Sequence, residues 1–392
     1  MKILKFSKVF ALLVGITLFS CSDDDDKNIL NDKYFTVENG TYKKGNMPSG
    51  EETFISNLEV NENVINGGAS IVTFTSSEAL SEFFVGVKGI DGYFACPVVA
   101  TYMASSEQEE GSGSYEYEAM ILLNQNLSEE KFAVTLSATT KSGKTNKVLN
   151  SDEIDVIIVG TGKLQVSLSW DQLDDVDLYL FEPDRDYPIY YGNRFSSDNA
   201  DEMFDFYCYL ADEYTDHSTA DLKADNEADW ELLFDYLNDL PNSVNLNEEI
   251  KKYSEGKDKI TGFLDLDSNA SCNIDGVNNE NITYGSKVKD GEYIVAVDLY
   301  EKCNASKPGA KYMVTVNYDG KPVTFASVQN GQFADSNAGN YSDIDGLVVL
   351  GKFKISGGKF EAVTGTRSMS LTPAASTKSL NKKFLEKLKQ FK

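Results

Sequence analysis

Residues 164–171 read Leu164-Gln165-Val166-Ser167-Leu168-Ser169-Trp170-Asp171. Apolar side chains alternate there with polar ones, which is typical of a β-strand with one face in a core and the other in solvent. Further strands are predicted at residues 176–181, 293–300, 312–318 and 323–327. Asp319-Gly320, between two of these strands, is a strong hairpin signal. The chain from residue 161 to residue 365 is therefore predicted to be rich in β-structure.

The preceding part of the chain also predicts short strands joined by turns. Residues 71–75 alternate apolar and polar side chains directly after the turn signal Asn66-Gly67-Gly68. Similar runs recur through residues 34–160 without a convincing helical period. We therefore expect an immunoglobulin-like β-sandwich over residues 34–160, and Gly160-Thr161-Gly162 predicts the boundary to the next domain.

Residues 195–260 interrupt the β pattern. Apolar side chains return at helical spacing in residues 203–214 and 230–237, and residues 245–253 predict a third short helix. The segment holds 18 acidic and 5 basic residues, a balance of −13. We interpret it as an acidic helical insertion. Trp230 is expected in the buried face of its helix, and a sugar-stacking platform is the alternative.

Short motifs follow one another in order after residue 163. They are Trp170-Asp171, Asp175-Val176-Asp177-Leu178, Tyr191-Gly192-Asn193, Leu264-Asp265-Leu266-Asp267, Glu280-Asn281 and Gly291-Glu292-Tyr293. This order resembles the YfaP-like family of β-sandwich modules, which are similar in style to pre-peptidase C-terminal domains. The resemblance covers residues 163–318 and implies a second β-sandwich domain over 161–365. The helical insertion 195–260 departs from the family pattern.

The two D-x-D motifs predict a cation site. Residues i and i+2 of a strand share a face, so Asp175 and Asp177 are expected on one face, as are Asp265 and Asp267. Four gathered carboxylates repel one another unless a cation neutralises them. Oxygen ligands without His or Cys favour calcium.

The remaining calcium ligands are predicted among Asn269, Glu280 and backbone carbonyls. The alternative is that these Asp residues only cap backbone amides in turns. An EF-hand starting at Asp265 is disfavoured, because its sixth position is Ala270 and its twelfth is Gly276.

The composition excludes several classes of protein. The 392 residues carry a net charge of −26, which disfavours nucleic-acid binding. A single histidine, His217, removes most zinc hydrolases and leaves one candidate imidazole, which we expect to be solvent-exposed. No G-x-S-x-G, H-E-x-x-H or P-loop motif occurs. We therefore expect a protein that is not an enzyme; an envelope hydrolase with a buried carboxylate pair is the less favoured alternative.

The N-terminus predicts a membrane-anchored, exported protein. Residues 1–20 combine three lysines with an apolar stretch too short to span a bilayer, and Leu18-Phe19-Ser20-Cys21 resembles a bacterial lipobox. This implies lipidation at Cys21; an ordinary signal peptide cut elsewhere is the alternative. Residues 21–33 form an acidic tether similar to the surface-export signal of Bacteroidetes lipoproteins, or act only as a solvated spacer.

Four further cysteines are predicted in an oxidising compartment, where disulfides are permitted. We favour a bridge between Cys272 and Cys303, whereas Cys96 and Cys208 are expected to be free or to join the two domains. Residues 366–392 carry seven Lys or Arg and one Glu. They predict a basic linker and amphipathic tail that frays, docks on the acidic body or lies on anionic membrane.

These observations predict a mainly β, two-sandwich lipoprotein of the outer membrane that faces outward, with a periplasmic orientation as the alternative. Its expected function is that of a calcium-stabilised binding module for an unknown protein or glycan. A structural or adhesin-like scaffold without metal is the main alternative.

Overall fold

The computed structural model describes residues 29–98, 114–183, 188–196, 200–241, 243–254, 262–323, 330–340 and 347–363. The predicted signal peptide, the lipidation site Cys21, residues 21–28 of the acidic tether and the basic tail lie outside the described residues. Among the helices in the described part of the chain, none combines the length and the apolarity that a bilayer crossing requires.

The first part of the chain is built from short strands in three sheets. The strands are β1 Phe35–Val37, β2 Thr41–Lys43, β3 Ile55–Glu59, β4 Asn63–Ile65, β5 Ala69–Ser76, β6 Leu80–Val87, β7 Tyr93–Pro97, β8 Tyr115–Leu123, β9 Lys131–Phe132, β10 Val134–Thr140, β11 Leu149–Asn150 and β12 Ile154–Ile157. The sheet orders are β1-β8-β5-β3, β11-β10-β6-β7-β2 and β4-β12-β9. Apolar side chains from all three sheets meet in one core, where the Phe74 ring stacks on that of Tyr117 with centroids 5.5 Å apart.

Two larger sheets form the second part. Their strands are β13 Leu164–Trp170, β14 Asp175–Phe181, β15 Pro188–Ile189, β16 Phe263–Leu266, β17 Asn279–Tyr284, β18 Gly291–Glu301, β19 Lys311–Tyr318, β20 Lys321–Val323, β21 Asn330–Gln332, β22 Val348–Ser356 and β23 Lys359–Val363. The orders are β16-β17-β13-β19-β20, with β21 also on β19, and β15-β14-β18-β22-β23. Apolar side chains of β13, β14 and β18 fill a shared core around Trp170, which is 1% exposed. The chain is thus mainly β, with several antiparallel sheets.

Three α-helices lie where the apolar spacing predicts them. They are α1 Ala200–Tyr214, α2 Glu227–Leu237 and α3 Leu246–Ser254. Their apolar faces pack together in a separate cluster that includes Phe206, Leu210 and Phe234. Asn226 caps α2, since its side-chain oxygen accepts from the backbone N–H of Ala228. Helical period therefore located α1 and α2, and α3 lies within the segment predicted as a third short helix.

The prediction that β13 exposes its polar face is wrong, because every residue of this strand is buried. The side chains of Gln165, Ser167 and Ser169 lie against the turn before β5 and against β17. Gln165 Nε2 donates to the carbonyl of Asn66 at 2.8 Å, and the Ser169 hydroxyl accepts from the Ala69 N–H at 3.2 Å. The polar alternation of this strand therefore reflects a buried hydrogen-bonded contact with the first part of the chain.

Gly67 makes this contact possible. Its φ of +77° is favoured by glycine, and an added Cβ would lie 2.1 Å from Gln165 Oε1. Its carbonyl oxygen accepts hydrogen bonds from the side chains of Thr315 and Asn317 at 2.8 Å each. The turn Asn66-Gly67-Gly68 thus joins the first part of the chain to β13 and β19.

Candidate metal centre

Asp177 lies in the middle of β14 and is fully buried. Its neighbours Val176 and Leu178 belong to the apolar core, so strand alternation turns Asp177 to the opposite face of the sheet. Asp298 of β18 lies directly across from it in the strand register and is also buried. Two carboxyl groups therefore sit side by side away from solvent.

Glu280 approaches the same point from the other large sheet. Asn279 and Asn281, its neighbours on β17, hydrogen-bond to the serines of β13, so alternation directs Glu280 the other way. Glu280 is fully buried, and its Oε2 accepts a hydrogen bond from the Leu178 N–H at 2.6 Å. The carboxylate thereby reaches the edge of β14, one residue from Asp177.

Asp267 completes a buried acidic triad. It follows β16, whose Leu266 pairs with Asn281 beside Glu280. One ligand oxygen each from Asp177, Asp267 and Glu280 lies within 4.8 Å of the others. Oxygens this close share a single cation-sized space, so these three residues are the ones the structure brings together.

Arg194 partly neutralises the triad. Its Nη2 donates to Asp267 Oδ2 at 2.6 Å, with side chains only 7% and 2% exposed. Asp267 Oδ1 is buried and has no hydrogen-bond partner among the described residues. Among the described residues, the three carboxylates and this guanidinium sum to a formal charge of −2 in a buried site. Carboxylates are costly to bury without opposite charge, and oxygen donors of this kind fit a divalent cation.

Tyrosine hydroxyls surround the acids. Burial, and then the charge of Asp177, raises the pKa of Tyr179 and of Tyr191 above the usual range. Both hydroxyls therefore stay protonated, and the Tyr179 hydroxyl is buried with no partner among the described residues. Among the described residues, the groups around the triad are neutral phenols, with no imidazole or thiolate, which matches a hard cation.

Asp265 does not join the triad, contrary to the expectation that it shares a face with Asp267. Leu264 pairs with Ile282 and Leu266 pairs with Asn281, so Asp265 is the extra residue of a β-bulge. Its carboxylate accepts from the Gly160 N–H at 2.5 Å and from Asn281 Nδ2 at 2.6 Å. Burial raises the pKa of Asp265 to about 6, although these hydrogen bonds oppose the rise.

Asp175 and Asn269 also lie outside the triad and organise the neighbouring loop. A register shift beside Asp175 breaks the regular ladder, and its Oδ2 accepts from the Ser271 N–H at 2.6 Å. Asn269 adopts a left-handed conformation with φ of +59°, and its amide donates to the Asp174 carbonyl at 3.1 Å. Of the six residues predicted as ligands, the structure gathers Asp177, Asp267 and Glu280.

Of the cysteines in the described part of the chain, two form a disulfide near the site and two are free. Cys272 and Cys303 form a disulfide with Cα atoms 5.5 Å apart, which joins the loop after β16 to the end of β18. The Cys303 N–H donates to Asp174 Oδ1 at 3.0 Å. Cys96 is buried and free in the first core, and Cys208 is free on α1.

His217 and Trp230, two other residues singled out from the sequence, are held by ring packing and hydrogen bonds or an ion pair. His217 is partly exposed, stacks on Tyr236 with centroids 4.1 Å apart and pairs with Asp239 at 2.6 Å. Trp230 packs edge-on against Phe204 at 4.7 Å, and its indole N–H donates to the Ala224 carbonyl at 2.8 Å. Trp230 thus occupies the edge of the helical cluster, which is the expected packing role.

Sequence reasoning missed Arg194 and Asp298. Arg194 directly follows the Tyr191-Gly192-Asn193 turn and is one of only three arginines in the chain. That scarcity is a signal, because arginine suits buried ion pairs better than lysine does. Asp298 interrupts the apolar run of β18, where an acid in an otherwise buried strand indicates a special environment.

No protein-family model matches this chain, and the search of curated proteins found no match. The interpretation of the site therefore rests on its own geometry.

Proposed function

We propose that this protein is a non-enzymatic, calcium-stabilised binding module of the cell envelope. In this proposal an immunoglobulin-like sandwich (34–160) carries a YfaP-like sandwich (161–365) with the helical insertion 195–260. The lipid on Cys21 anchors both at the outer membrane of a Bacteroidetes-type cell, facing outward. The single observation that carries the metal assignment is the buried triad of Asp177, Asp267 and Glu280.

Charge and ligand chemistry favour calcium over other ions. The triad offers only carboxylate oxygens, which are ligands for hard cations. Magnesium keeps several waters and is usually held by one or two carboxylates, whereas calcium accepts a larger set of protein oxygens. Asp177, Asp267 and Glu280 would hold the ion, with Asp298 adjacent.

Calorimetric titration of calcium into the wild-type protein, together with thermal melting in calcium and in EGTA, tests the assignment. At free calcium 100 times the Kd, binding stabilises the fold by about 2.7 kcal/mol. We expect Asp177→Asn to weaken calcium binding by at least about tenfold, because it removes one charged ligand. In EGTA the same variant should be as stable as wild type or more stable, since it relieves repulsion in the triad.

Asp216→Asn is the matched control, because Asp216 is exposed on the helical insertion. It should leave calcium binding and melting unchanged. If wild-type protein shows neither heat on titration nor a change in melting temperature, calcium is ruled out.

A metal-free scaffold is the second candidate, and a specific observation favours it. Asp267 already has the Arg194 guanidinium, and Glu280 already caps the Leu178 N–H. A scaffold of this kind would melt at the same temperature in calcium and in EGTA.

A further inference from the structure

Asn247, in the first turn of α3, binds the main chain of a triad residue. Its Nδ2 donates to the Asp267 carbonyl at 2.9 Å, and its Oδ1 accepts from the Asp267 N–H at 3.2 Å. One amide side chain thus satisfies both backbone groups of Asp267. This places the start of α3 directly behind the proposed cation ligand.

Arg194 closes the same network. Its Nη1 donates to Asn247 Oδ1 at 3.0 Å while its Nη2 binds Asp267 Oδ2 at 2.6 Å. Arg194, Asn247 and Asp267 therefore form one connected group, here termed the Asn247 clamp. It joins the end of β16, the start of α3 and the segment that leads into α1.

Helix α3 packs against the rest of the helical cluster. Ile250 of α3 is fully buried in that cluster. The Tyr209 hydroxyl of α1 donates to Glu249 Oε2 at 2.7 Å, and the Phe206 ring meets that of Tyr253 at 5.2 Å. A shift of α3 would therefore change the packing against α1, which carries exposed acids on its outer side.

We infer that cation binding at the triad and docking of α3 through the Asn247 clamp are thermodynamically linked; this inference rests on the proposed calcium site. Asp177 and Glu280 lie within strands, whereas Asp267 lies just beyond the end of β16. Displacing Asp267 therefore relieves repulsion among the three carboxylates in the absence of the ion without breaking a strand pairing. That displacement draws its N–H and carbonyl away from Asn247 and loosens α3.

The linkage works in both directions. A cation that holds Asp267 in place also holds the two backbone groups that bind Asn247. By reciprocity, a clamp that fixes Asp267 raises the affinity for the cation by the same factor. Calcium binding thus stabilises the docked position of α3 and, through it, the packing of α3 against α1.

Hydrogen exchange of the full wild-type protein in calcium and in EGTA, read out by mass spectrometry, tests the linkage alongside calcium calorimetry. Residues 246–254 and 200–214 should exchange more slowly in calcium, by about fivefold or more. Asn247→Ala should weaken calcium binding by a similar factor of about five to ten. Asn226→Ala, which removes the side-chain cap of α2 but does not touch Asp267, should leave calcium affinity unchanged.

The outcomes separate the two proposals. If calcium binds but the exchange of α3 and the affinity of Asn247→Ala are both unchanged, the linkage is wrong and the calcium site stands. If calcium does not bind the wild-type protein at all, the calcium site itself is wrong, and the linkage is overturned with it. The wild-type exchange measurement remains decisive even if Asn247→Ala fails to fold.

Discussion

The outward faces of β13 and β14 are both polar and both buried, but their buried polar groups are stabilised in different ways. On β13 the side chains are neutral, and they are satisfied by Asn281 of β17, whose Oδ1 accepts from Gln165 Nε2 at 3.0 Å and from the Ser167 hydroxyl at 2.7 Å. On β14 the buried side chain is Asp177, beside Asp298. A neutral network is complete when its donors and acceptors match, but a carboxylate cluster also needs opposite charge.

The two faces therefore differ in the free energy of unfolding that is lost when one of their contacts is removed. A satisfied neutral hydrogen bond contributes about 1 kcal/mol, whereas breaking a buried ion pair costs about 3–5 kcal/mol. Only the acidic face should therefore respond to an added ion, and the neutral face should behave identically with and without calcium.

The largest expected effect comes from removing Arg194, the buried positive charge that pairs with Asp267 in the described part of the chain. Arg194→Met leaves the triad with a formal charge of −3, and we expect a loss of about 3–5 kcal/mol of unfolding free energy in EGTA. In calcium the loss should be smaller, because the ion replaces part of the missing charge. Urea denaturation in the two buffers measures the difference.

Lys131→Met is the control for that substitution. Lys131 pairs with Asp155 at 2.7 Å, but both side chains are more than half exposed. Its loss should leave the unfolding free energy nearly unchanged in either buffer, because solvent screens an exposed ion pair. An Arg194→Met protein as stable as the Lys131→Met protein in EGTA would contradict a buried, charged triad.

A smaller effect is expected on the neutral face. Gln165→Leu leaves the Gln125 amide without its 2.7 Å acceptor and the Asn66 carbonyl without its donor. We expect a loss of about 2 kcal/mol, because buried polar groups lose their partners. The loss measured by urea denaturation should be equal in calcium and in EGTA; a calcium-dependent loss would remove the distinction between the two faces.

Local periodicity explains how much of this arrangement is predictable. The two-residue alternation of β13 and the helical spacing of α1 and α2 depend only on neighbours in sequence. The same alternation correctly turns Asp177 away from Val176 and Leu178. It also shows Gln165 to be on a polar face, but it cannot show that another part of the chain covers that face.

The rest of the site depends on features without a local signal. The β-bulge at Asp265 and the register shift beside Asp175 break the regular ladder, so in each D-x-D motif only the second Asp joins the triad. Asn247 is 20 residues away from Asp267 in the sequence, and Arg194 is 73 residues away from it. The helical segment between them has no counterpart in the motifs from which the fold was predicted. Long-range pairing of this kind is decided by tertiary packing rather than by propensity.

The smallest expected effect concerns the acid at the end of β13, where the neutral row stops. Asp171 Oδ1 accepts from the Lys311 N–H at 2.8 Å, and burial raises the pKa of Asp171 to about 6. Because the pKa is higher in the folded protein than in the unfolded chain, the folded state binds more protons between about pH 4 and pH 6. This group therefore costs stability as the pH rises through that range. Asp171→Asn keeps an acceptor for the Lys311 N–H and should be more stable than wild type above about pH 6, with the gain vanishing below about pH 4. The gain should be about 1 kcal/mol, less than the roughly 3 kcal/mol that a pKa rise from about 4 to about 6 corresponds to, because an amide oxygen accepts a weaker hydrogen bond than a carboxylate does. Urea midpoints measured from pH 4 to pH 7.5 check this, and a gain that stays constant with pH would show that Asp171 is not the titrating group. Since Asp171 can relieve its burial by taking up a proton, the gain should be the same in calcium and in EGTA, unlike the effect of any substitution within the triad.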